Sequence, residues 1–542
     1  MSDRKSLLSP LAHASFRKLW TASIASNLGT LVQTVGAGWL MTSITPSENM
    51  VALVQASAAM PIMLFSIVAG AIADNFDRRR VILVAQVFLC AVSCLLTASA
   101  GFGLVTPWSL LTFTFLIGCG TALAYPAWQA SIGDLVPRDE VANAVSLSAI
   151  AVNITRSVGP AIGGVVVAVG GAAAAFAVNT VFCLGLVATF LRWERRQDVG
   201  SLPREHIGQA ILAGLSYVSM SPHLLKVYFR GFVFGAGAIA VLALLPVVTH
   251  QKLGGGPLTY GLMLASFGVG AVLAALLNAR LRARLSSEAL IRLSFGCFVA
   301  SELTVAASSQ IVILAVAIII AGAAWVIALS LFNTTVQLSA PRWVAGRALA
   351  FYQTASFGGM TGGSWLWGTI AESQGLGAAF FIAALLAVAG LLIGVLLPMP
   401  MLETTDLDPL QHFKEPMLRL AIRPRSGPIA VHIDYEIREE DVEEFRQLME
   451  WRRRVRIRDG AKSWRLLRDL ENPSIWMETY HTPTWADYIR HNQRRTNADG
   501  DNHNRLLALH QGARPIGARR FIERQVIPPA DDVFHQAAGE IR

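Results

Sequence analysis

The sequence predicts an all-α polytopic membrane protein, with twelve transmembrane helices in two six-helix halves, followed by a C-terminal cytoplasmic α+β domain. Three observations predict it. Hydrophobic residues make up 53% of the 542 residues and charged residues only 15%, at a mean hydropathy of +0.48, whereas soluble domains carry roughly 25% charged residues. Charge is also segregated: residues 19–397 are apolar with brief interruptions, and 403–542 are dense in Arg, Glu, Asp and His. Finally, the apolar region divides into two groups of six runs, each of membrane-spanning length.

A hydrocarbon core of about 30 Å needs roughly 20 apolar residues in a helix. The first group covers 18–43, 51–73, 81–100, 107–129, 143–168 and 173–191. The second covers 225–249, 258–281, 288–307, 311–333, 345–370 and 376–397. Pro46, Pro107, Pro137, Pro203, Pro257, Pro341 and Pro398 lie in or beside the breaks, where a helix stops without losing internal hydrogen bonds. One set of loops holds Arg78–Arg80, Arg138, Arg192, Arg195, Arg196, Arg204, Arg280, Arg282, Arg284, Arg342 and Arg347; the opposite set holds a single base, Lys252. The positive-inside rule places the arginine-rich set, and with it both termini, in the cytoplasm. The N-terminus lacks the short apolar core and cleavage site of a secretory signal, so the first helix is expected to be retained. The expected organisation is 1–197 and 225–400 as the six-helix halves, with 198–224 and 401–426 as linkers. Residues 427–527 form the C-terminal domain and 528–542 a tail.

The halves repeat one another. Pro137-Arg138 matches Pro341-Arg342, an offset of 204 (341 − 137), and the same offset pairs Ala144 with Ala348, Gly159 with Gly363, Gly164 with Gly368, Gly171 with Gly375 and Phe176 with Phe380. Such register suggests two parallel repeats about a central axis. Glycines at Gly159, Gly163, Gly164, Gly358, Gly359, Gly362 and Gly363 would let helices approach closely.

Between the second and third runs lies Gly70-Ala-Ile-Ala-Asp74-Asn-Phe-Asp77-Arg78-Arg79-Arg80. This spacing resembles the loop between helices 2 and 3 of major facilitator transporters, which implies that fold and transport by alternating access. The resemblance makes Gly70, Asp74, Arg78 and Asp134, at the end of the fourth run, a cytoplasmic latch. An aspartate at a helix terminus can cap a neighbouring helix, and an arginine offers a fork suited to a carboxylate. Asp77 stands where many members have glycine, so a differently closed turn is expected. Gly159-Pro160-Ala-Ile-Gly163-Gly164 looks like the helix-5 packing motif of the superfamily's antiporters, with Thr155 and Arg156 replacing its upstream glycines. Tyr125-Pro-Ala-Trp-Gln129-Ala-Ser-Ile-Gly-Asp134-Leu-Val-Pro-Arg resembles the enterobactin exporter-like branch, the transmembrane secretion effectors, over about residues 10–400.

Polar side chains within the runs are the candidate substrate or proton-coupling residues. An arginine in a bilayer costs at least about 2.5–3.5 kcal/mol, so Arg156 should face a cavity or a carboxylate. Glu302 is the clearest membrane acid of the second half; burial would suit it to proton coupling, with water at the outer end as the alternative surrounding. Asn27, Gln33, Gln55, Tyr125, Gln129, Asn153, Asn333 and Gln353 suit a broad amphipathic solute, although intramembrane amides also serve as interhelical glue. Cys90, Cys94, Cys119, Cys183 and Cys297 all lie in apolar runs and read as buried hydrophobes, so no metal site is expected.

From residue 427 the period changes. Ile429–Ile437 alternates as a strand, Asp441–Arg458 is a charged amphipathic helix, Trp464–Arg468 and Ile475–Tyr480 are strands about a Glu471-Asn-Pro turn, Trp485–Arg494 and 503–511 are helical, and 517–526 is a last strand. This β-α-β-β-α-β order is a ferredoxin-like pattern. It resembles the antibiotic-biosynthesis monooxygenase type of domain, which implies a homodimer through the C-terminal domain. Arg452, Arg453, Arg454, Arg456 and Arg458 read as the solvated face of a helix. His432, His481, His491, His503 and Trp464 make no catalytic constellation by spacing.

The expected function is a proton-coupled exporter of an amphipathic small molecule, such as a siderophore or drug, in the cell inner membrane. The expectation includes no cofactor, no enzymatic activity and no nucleic-acid partner; the net charge of +9 follows from topology. No phosphate-binding G-x-x-x-x-G-K-[ST] loop occurs. Two alternatives stay open: a lipid or lysophospholipid flippase, and a membrane-anchored sensor or oxygenase acting through the C-terminal domain.

Overall fold

A computed structural model of the chain describes residues 8–137, 140–193, 207–341, 343–400, 416, 418–494, 496–512 and 515–523. Two compact units form: residues 1–197, 225–336 and 349–401 make one, and 198–224, 337–348 and 402–542 the other.

The long helices are α1 (Ala14–Ile44), α2 (Glu48–Asn75), α3 (Arg78–Gly101), α4 (Pro107–Leu135) and α5 (Val141–Leu191). After α6 (Ile207–Ser219) come α7 (Pro222–Val247), α8 (Pro257–Arg284), α9 (Ser287–Ala307), α10 (Ile311–Leu338), α11 (Ala345–Gln374) and α12 (Leu376–Leu396). Among the described residues, nine of these helices are long and apolar enough to cross a membrane: α2–α5, α7–α10 and α12. Local chemistry starts them where the breaks were expected. Ser47 Oγ accepts from the Met50 amide at 3.3 Å, Asp77 Oδ1 from Arg80 at 2.9 Å and Ser286 Oγ from Ala289 at 3.2 Å. Each satisfies an orphan first-turn donor, and Pro107 and Pro257 open α4 and α8, where their missing N–H costs nothing.

Four elements differ from expectation: α1 and α11, expected as spans, are not among those nine, and two others are built otherwise. The fifth and sixth runs are joined in α5, whose arms meet at Gly171, at φ 72° and ψ −179°. Gly375, 204 residues later (375 − 171), has φ 88° and starts α12; both positions are strained for any residue with a Cβ. The interval 198–224, expected as a linker, contains α6, which groups with the C-terminal residues.

The repeat is structural as well as sequential. A Cβ at Gly159 would meet Leu31 of α1 at 2.9 Å, and one at Gly363 would meet the Ala236 carbonyl of α7. Arg79 Nε donates to the Phe190 carbonyl at 3.2 Å, and Arg292 Nη2 to the Gly394 carbonyl at 3.0 Å. Phe190 and Gly394 are again 204 apart (394 − 190). In each half an arginine of the third helix thus satisfies a last-turn carbonyl of the sixth.

In the second unit, β1 (Ile429–Glu436), α13 (Val442–Arg458), β2 (Lys462–Arg468), β3 (Ile475–Thr482), α14 (Trp485–Gln493), α15 (Asn497–Leu509) and β4 (Ala518–Ile522) follow in order. The strands form one antiparallel sheet ordered β2-β3-β1-β4. Asp469 Oδ1 accepts from the amides of Glu471 and Asn472 at 2.8 and 3.1 Å and closes the expected turn. Strand alternation sends Val431, Ile433, Tyr435, Trp476 and Tyr480 into a core with Phe445, Met449, Tyr488 and Leu506.

Candidate functional site

The two six-helix groups meet along α5–α8 and α2–α11, at the repeat glycines. A Cβ on Gly164 would lie 2.9 Å from Gly261 Cα and 3.0 Å from the Pro257 carbonyl oxygen, and one on Gly268 would strike the Arg156 carbonyl. On the other seam, a Cβ on Gly368 would lie 2.8 Å from Ala52 Cβ and 2.9 Å from Asn49 Cα. Polar bridges close the arginine-poor end: Ser47 Oγ donates to Glu372 Oε2 and Gln251 Nε2 to Glu48 Oε1, each at 2.9 Å. The Tyr260 hydroxyl fills the place of a Gly38 Cβ, 2.7 Å away.

Toward the arginine-rich end, α1 and α5 are uncovered. On α5 an exposed apolar stripe (Ile154, Val158, Ile162, Val165, Val169) marks the outward face. Arg156 lies on the opposite face, with Val145 and Ala149 below it and Pro160, Gly163 and Val167 above, since residues three and four apart share a face. That face is buried from Pro160 upward and exposed from Arg156 downward. On α1, likewise, Asn27 is exposed while Val32, Val35 and Met41 are buried. Arg156 is therefore exposed at the level where this face of α5 passes from buried to exposed toward the arginine-rich end. The α2–α11 seam stays joined further down, where Ser66 Oγ donates to the Ala350 carbonyl at 3.1 Å and lies 2.9 Å from Thr354 Oγ1. Because the α5–α8 approach is backbone against backbone, Gly261→Leu is expected to destabilise the protein by about 1–3 kcal/mol, read as a lowered Tm in detergent, and to reduce transport with it.

At the charged loop the differently closed turn expected at Asp77 is present. Asp77 caps α3, as its hydrogen bond to Arg80 shows. The side chains of Asp74 and Asp134 lie outside the described residues; Arg78 is the first residue of α3, and a Cβ on Gly70 would touch nothing within 4 Å. The counterpart of Arg78 in the second half is Arg282, 204 residues on (282 − 78). There Arg282 Nε donates to Asn278 Oδ1 at 3.0 Å and Nη2 to Ser330 Oγ at 3.0 Å. Neutral oxygens of α8 and α10 thus hold the second-half arginine, with Asn278 in the register of Asp74.

The remaining candidates separate. Gln33 is buried and accepts from Asn179 Nδ2, which also donates to Ser93 Oγ at 3.1 Å; this cluster joins α1, α3 and α5. Asn333 donates to its own helix at the Leu329 carbonyl, at 3.0 Å. Gln55 and Gln353 are half-buried, Tyr125 and Gln129 exposed, and the Asn153 side chain lies outside the described residues. Glu302 does not face water: it is 0% exposed, and neither carboxyl oxygen has a hydrogen-bond partner. Arg156 and Glu302 are not brought together.

A clasp that hydropathy had hidden ties α7, α9 and the end of α12. Arg230, 1% exposed, pairs with Glu288. Glu288 also accepts from Arg292 Nε at 2.8 Å and the Met399 amide at 2.7 Å. Its sequence signal was the Glu288/Arg292 pair at i,i+4 with one arginine inside the seventh run.

In the C-terminal domain the expected solvated arginine face holds for Arg453 and Arg454, which are exposed, and is overturned at Arg452 and Arg456. Arg452 and Arg456 are buried and converge on Glu478, itself 0% exposed. Glu478 Oε2 accepts from Arg452 Nε and the Tyr435 hydroxyl, both at 2.8 Å; Oε1 accepts from Arg456 Nε at 3.0 Å and Trp464 Nε1 at 3.1 Å. Burial alone would raise the Glu478 carboxyl, but the two guanidinium groups outweigh it and hold it well below the usual carboxylate range. Burial pushes the Tyr435 hydroxyl up. His491 Nε2 lies 3.0 Å from Arg456 Nη1; a guanidinium only donates, so Nε2 accepts and the ring proton sits on Nδ1, 3.3 Å from the Asp459 carbonyl.

Known proteins resemble the chain over most of its length. A family profile described as "Transmembrane secretion effector" matches residues 5–526. The staphyloferrin A transporter of Staphylococcus aureus is 27% identical over 261 residues, which cover 47% of this chain and 65% of that protein, just under two thirds of its length. The multidrug efflux pump Tap of Mycolicibacterium fortuitum is 24% identical over 71% of this chain and 96% of its own. Among solved structures, a D323A mutant of the nucleoside transporter NupG superposes with a TM-score of 0.60 at 12% identity, over 71% of this chain and 100% of that one; at that identity the likeness speaks for the fold.

Proposed function

The chain belongs to the transmembrane secretion effector family of major facilitator transporters, and from that premise we propose that it exports an amphipathic, anionic small molecule across the inner membrane by alternating access. Twelve spans with both termini in the cytoplasm fit the arginine distribution, the joined fifth and sixth spans counting as two. The observation that supports the reading is that Arg156 lies exposed in mid-run on α5, opposite its apolar stripe, where that face passes from buried to exposed toward the arginine-rich end, while glycine seams and polar bridges join the halves at the other end. Cargo enters from the cytoplasm, meets Arg156 within the membrane, and leaves when the halves rock and the Ser47–Glu372 and Gln251–Glu48 bridges part. A cationic floor selects an acid group on the cargo, because a guanidinium in a low-dielectric site needs a counter-charge. Siderophore and multidrug transport by the relatives named above agrees with a medium-sized cargo. Untargeted comparison of metabolites exported with and without the gene tests the reading; an export profile unchanged, or one altered only in lipids, would refute it.

Glu302 supplies the coupling proton. An ionised carboxylate buried without a partner is prohibitively costly, so the group must gain a partner or water before it can carry charge. Glu302→Gln keeps the shape and removes the titration. Proton-driven efflux is expected to fall at least tenfold while cargo exchange without a gradient stays near wild type. Equal loss of both, or of neither, would reject the assignment.

A further inference from the structure

The C-terminal sheet does not stand alone within its unit. It shares that unit with α6 and with residues 337–348, the connection between α10 and α11. The Tyr217 ring of α6 lies edge-on to Trp343, with centroids 5.7 Å apart at 84°. Arg458, at the end of α13, places its guanidinium 5.5 Å from the Tyr217 ring, and Arg494, just past α14, lies 4.2 Å over Trp343. Cations over aromatic faces at these distances attract, more strongly when desolvated. Tyr217 is itself buried.

The two arginines share one anchor. Arg458 Nε donates to Asp459 Oδ1 at 3.0 Å, and Arg494 Nη1 donates to the Asp459 carbonyl at 3.1 Å. The same carbonyl faces His491 Nδ1, whose Nε2 meets Arg456, whose Nε meets Glu478. A continuous chain of polar contacts thus runs from the buried centre of the sheet to the two aromatic rings. Tyr217 precedes α7 by five residues (222 − 217), and Trp343 precedes α11 by two (345 − 343). Those helices pack backbone to backbone, since a Cβ on Gly359 would strike the Phe232 carbonyl and one on Gly363 the Ala236 carbonyl.

We infer that the C-terminal domain is a brace: through Arg458 on Tyr217 and Arg494 on Trp343 it staples the beginnings of α7 and α11 together, so that the second six-helix group moves as one body. This rests on the transport reading for its purpose, but its geometry is tested without cargo. The full chain in lipid nanodiscs is compared by hydrogen exchange with the double variant Arg458→Ala/Arg494→Ala and, separately, with Trp343→Ala, which leaves every residue of the sheet intact. Amides of 222–230 and 345–356 are expected to exchange at least tenfold faster in both, with β3 unchanged in Trp343→Ala. A Tyr217→Cys/Arg458→Cys pair, bridged by a bifunctional thiol reagent in a background without the native cysteines, is expected to restore slow exchange and, where wild-type vesicles export carboxyfluorescein, to restore that export. Unchanged exchange at both segments in Trp343→Ala would overturn the brace. So would variants that export faster than wild type, since the contact would then be inhibitory, or a bridged pair whose export stays low.

Discussion

Arg156→Gln is expected to lower export at least tenfold while leaving the amount and Tm of the protein in the membrane unchanged or higher. The two halves of that expectation have different causes. An arginine at mid-membrane costs at least about 2.5–3.5 kcal/mol on insertion, so its removal relieves the fold. Its side chain is exposed on the face of α5 opposite the apolar stripe, with Pro160, Gly163 and Val167 buried above it. What the substitution removes is the mid-membrane cation, and with it the proposed attraction for an acid group on the cargo; a tenfold loss corresponds to about 1.4 kcal/mol of binding. Arg156→Lys, which keeps the charge but loses the planar fork, should fall between the two. Efflux from everted vesicles, measured beside Tm by a thiol-reactive dye, separates the outcomes. A variant that exports normally, or that loses export only in step with Tm, would make Arg156 a packing residue.

Much of this was legible from residues alone. The runs of apolar residues located the nine described helices that are long and apolar enough to cross a membrane, because hydrocarbon thickness sets a length that few other features imitate, and the 204-residue register pointed to the seam glycines. The C-terminal sheet was legible for a similar reason: Ile429–Glu436 and Ile475–Thr482 alternate in period two, and the Asp469 turn between β2 and β3 uses local chemistry. What hydropathy concealed was the partnership of charges. Arg452 and Arg456 stand at i,i+4 on a helix that looks like any solvated one, and only Glu478, placed between Trp476 and Tyr480 on the inward face of β3, betrays that the pair is buried. In the same way, α6 is too short to register as a span, yet Tyr217 and Val218 give it a buried side. The charged loop shows the opposite limit. Its spacing located the turn between α2 and α3, where Asp77 caps α3 because the N-cap position falls one residue before Arg78 and a short acid there reaches the first-turn amides, but it leaves open the partners of Asp74, whose side chain lies outside the described residues.

Glu478→Ala should release the C-terminal sheet. Two buried guanidinium groups would lose their shared counter-charge, and removing one partner of a buried pair typically costs about 3–5 kcal/mol, against a total of roughly 5–15 kcal/mol for a domain. In the full chain, amides of β1 and β3 should therefore exchange about two orders of magnitude faster, while the membrane helices away from 337–348 keep their protection. Glu478→Gln keeps the shape and one accepting oxygen but sets an amide NH2 against the donors on the other and leaves Arg452 and Arg456 uncompensated, so it too should destabilise. Acid provides the independent arm. The folded carboxyl titrates below its ordinary value of 4.5, so its contribution is present above pH about 4.5 and is lost as pH falls toward the depressed folded value, where the network must take up a proton. Wild-type sheet protection should thus decline below that pH, and the Gln variant should start lower and lose this part of the slope. If the Gln variant instead matched wild type at neutral pH, the arginines would be held by packing alone. The brace would then hold Tyr217 and Trp343 without any help from the centre of the sheet, since the path through Arg456, His491 and Asp459 starts from the charge on Glu478.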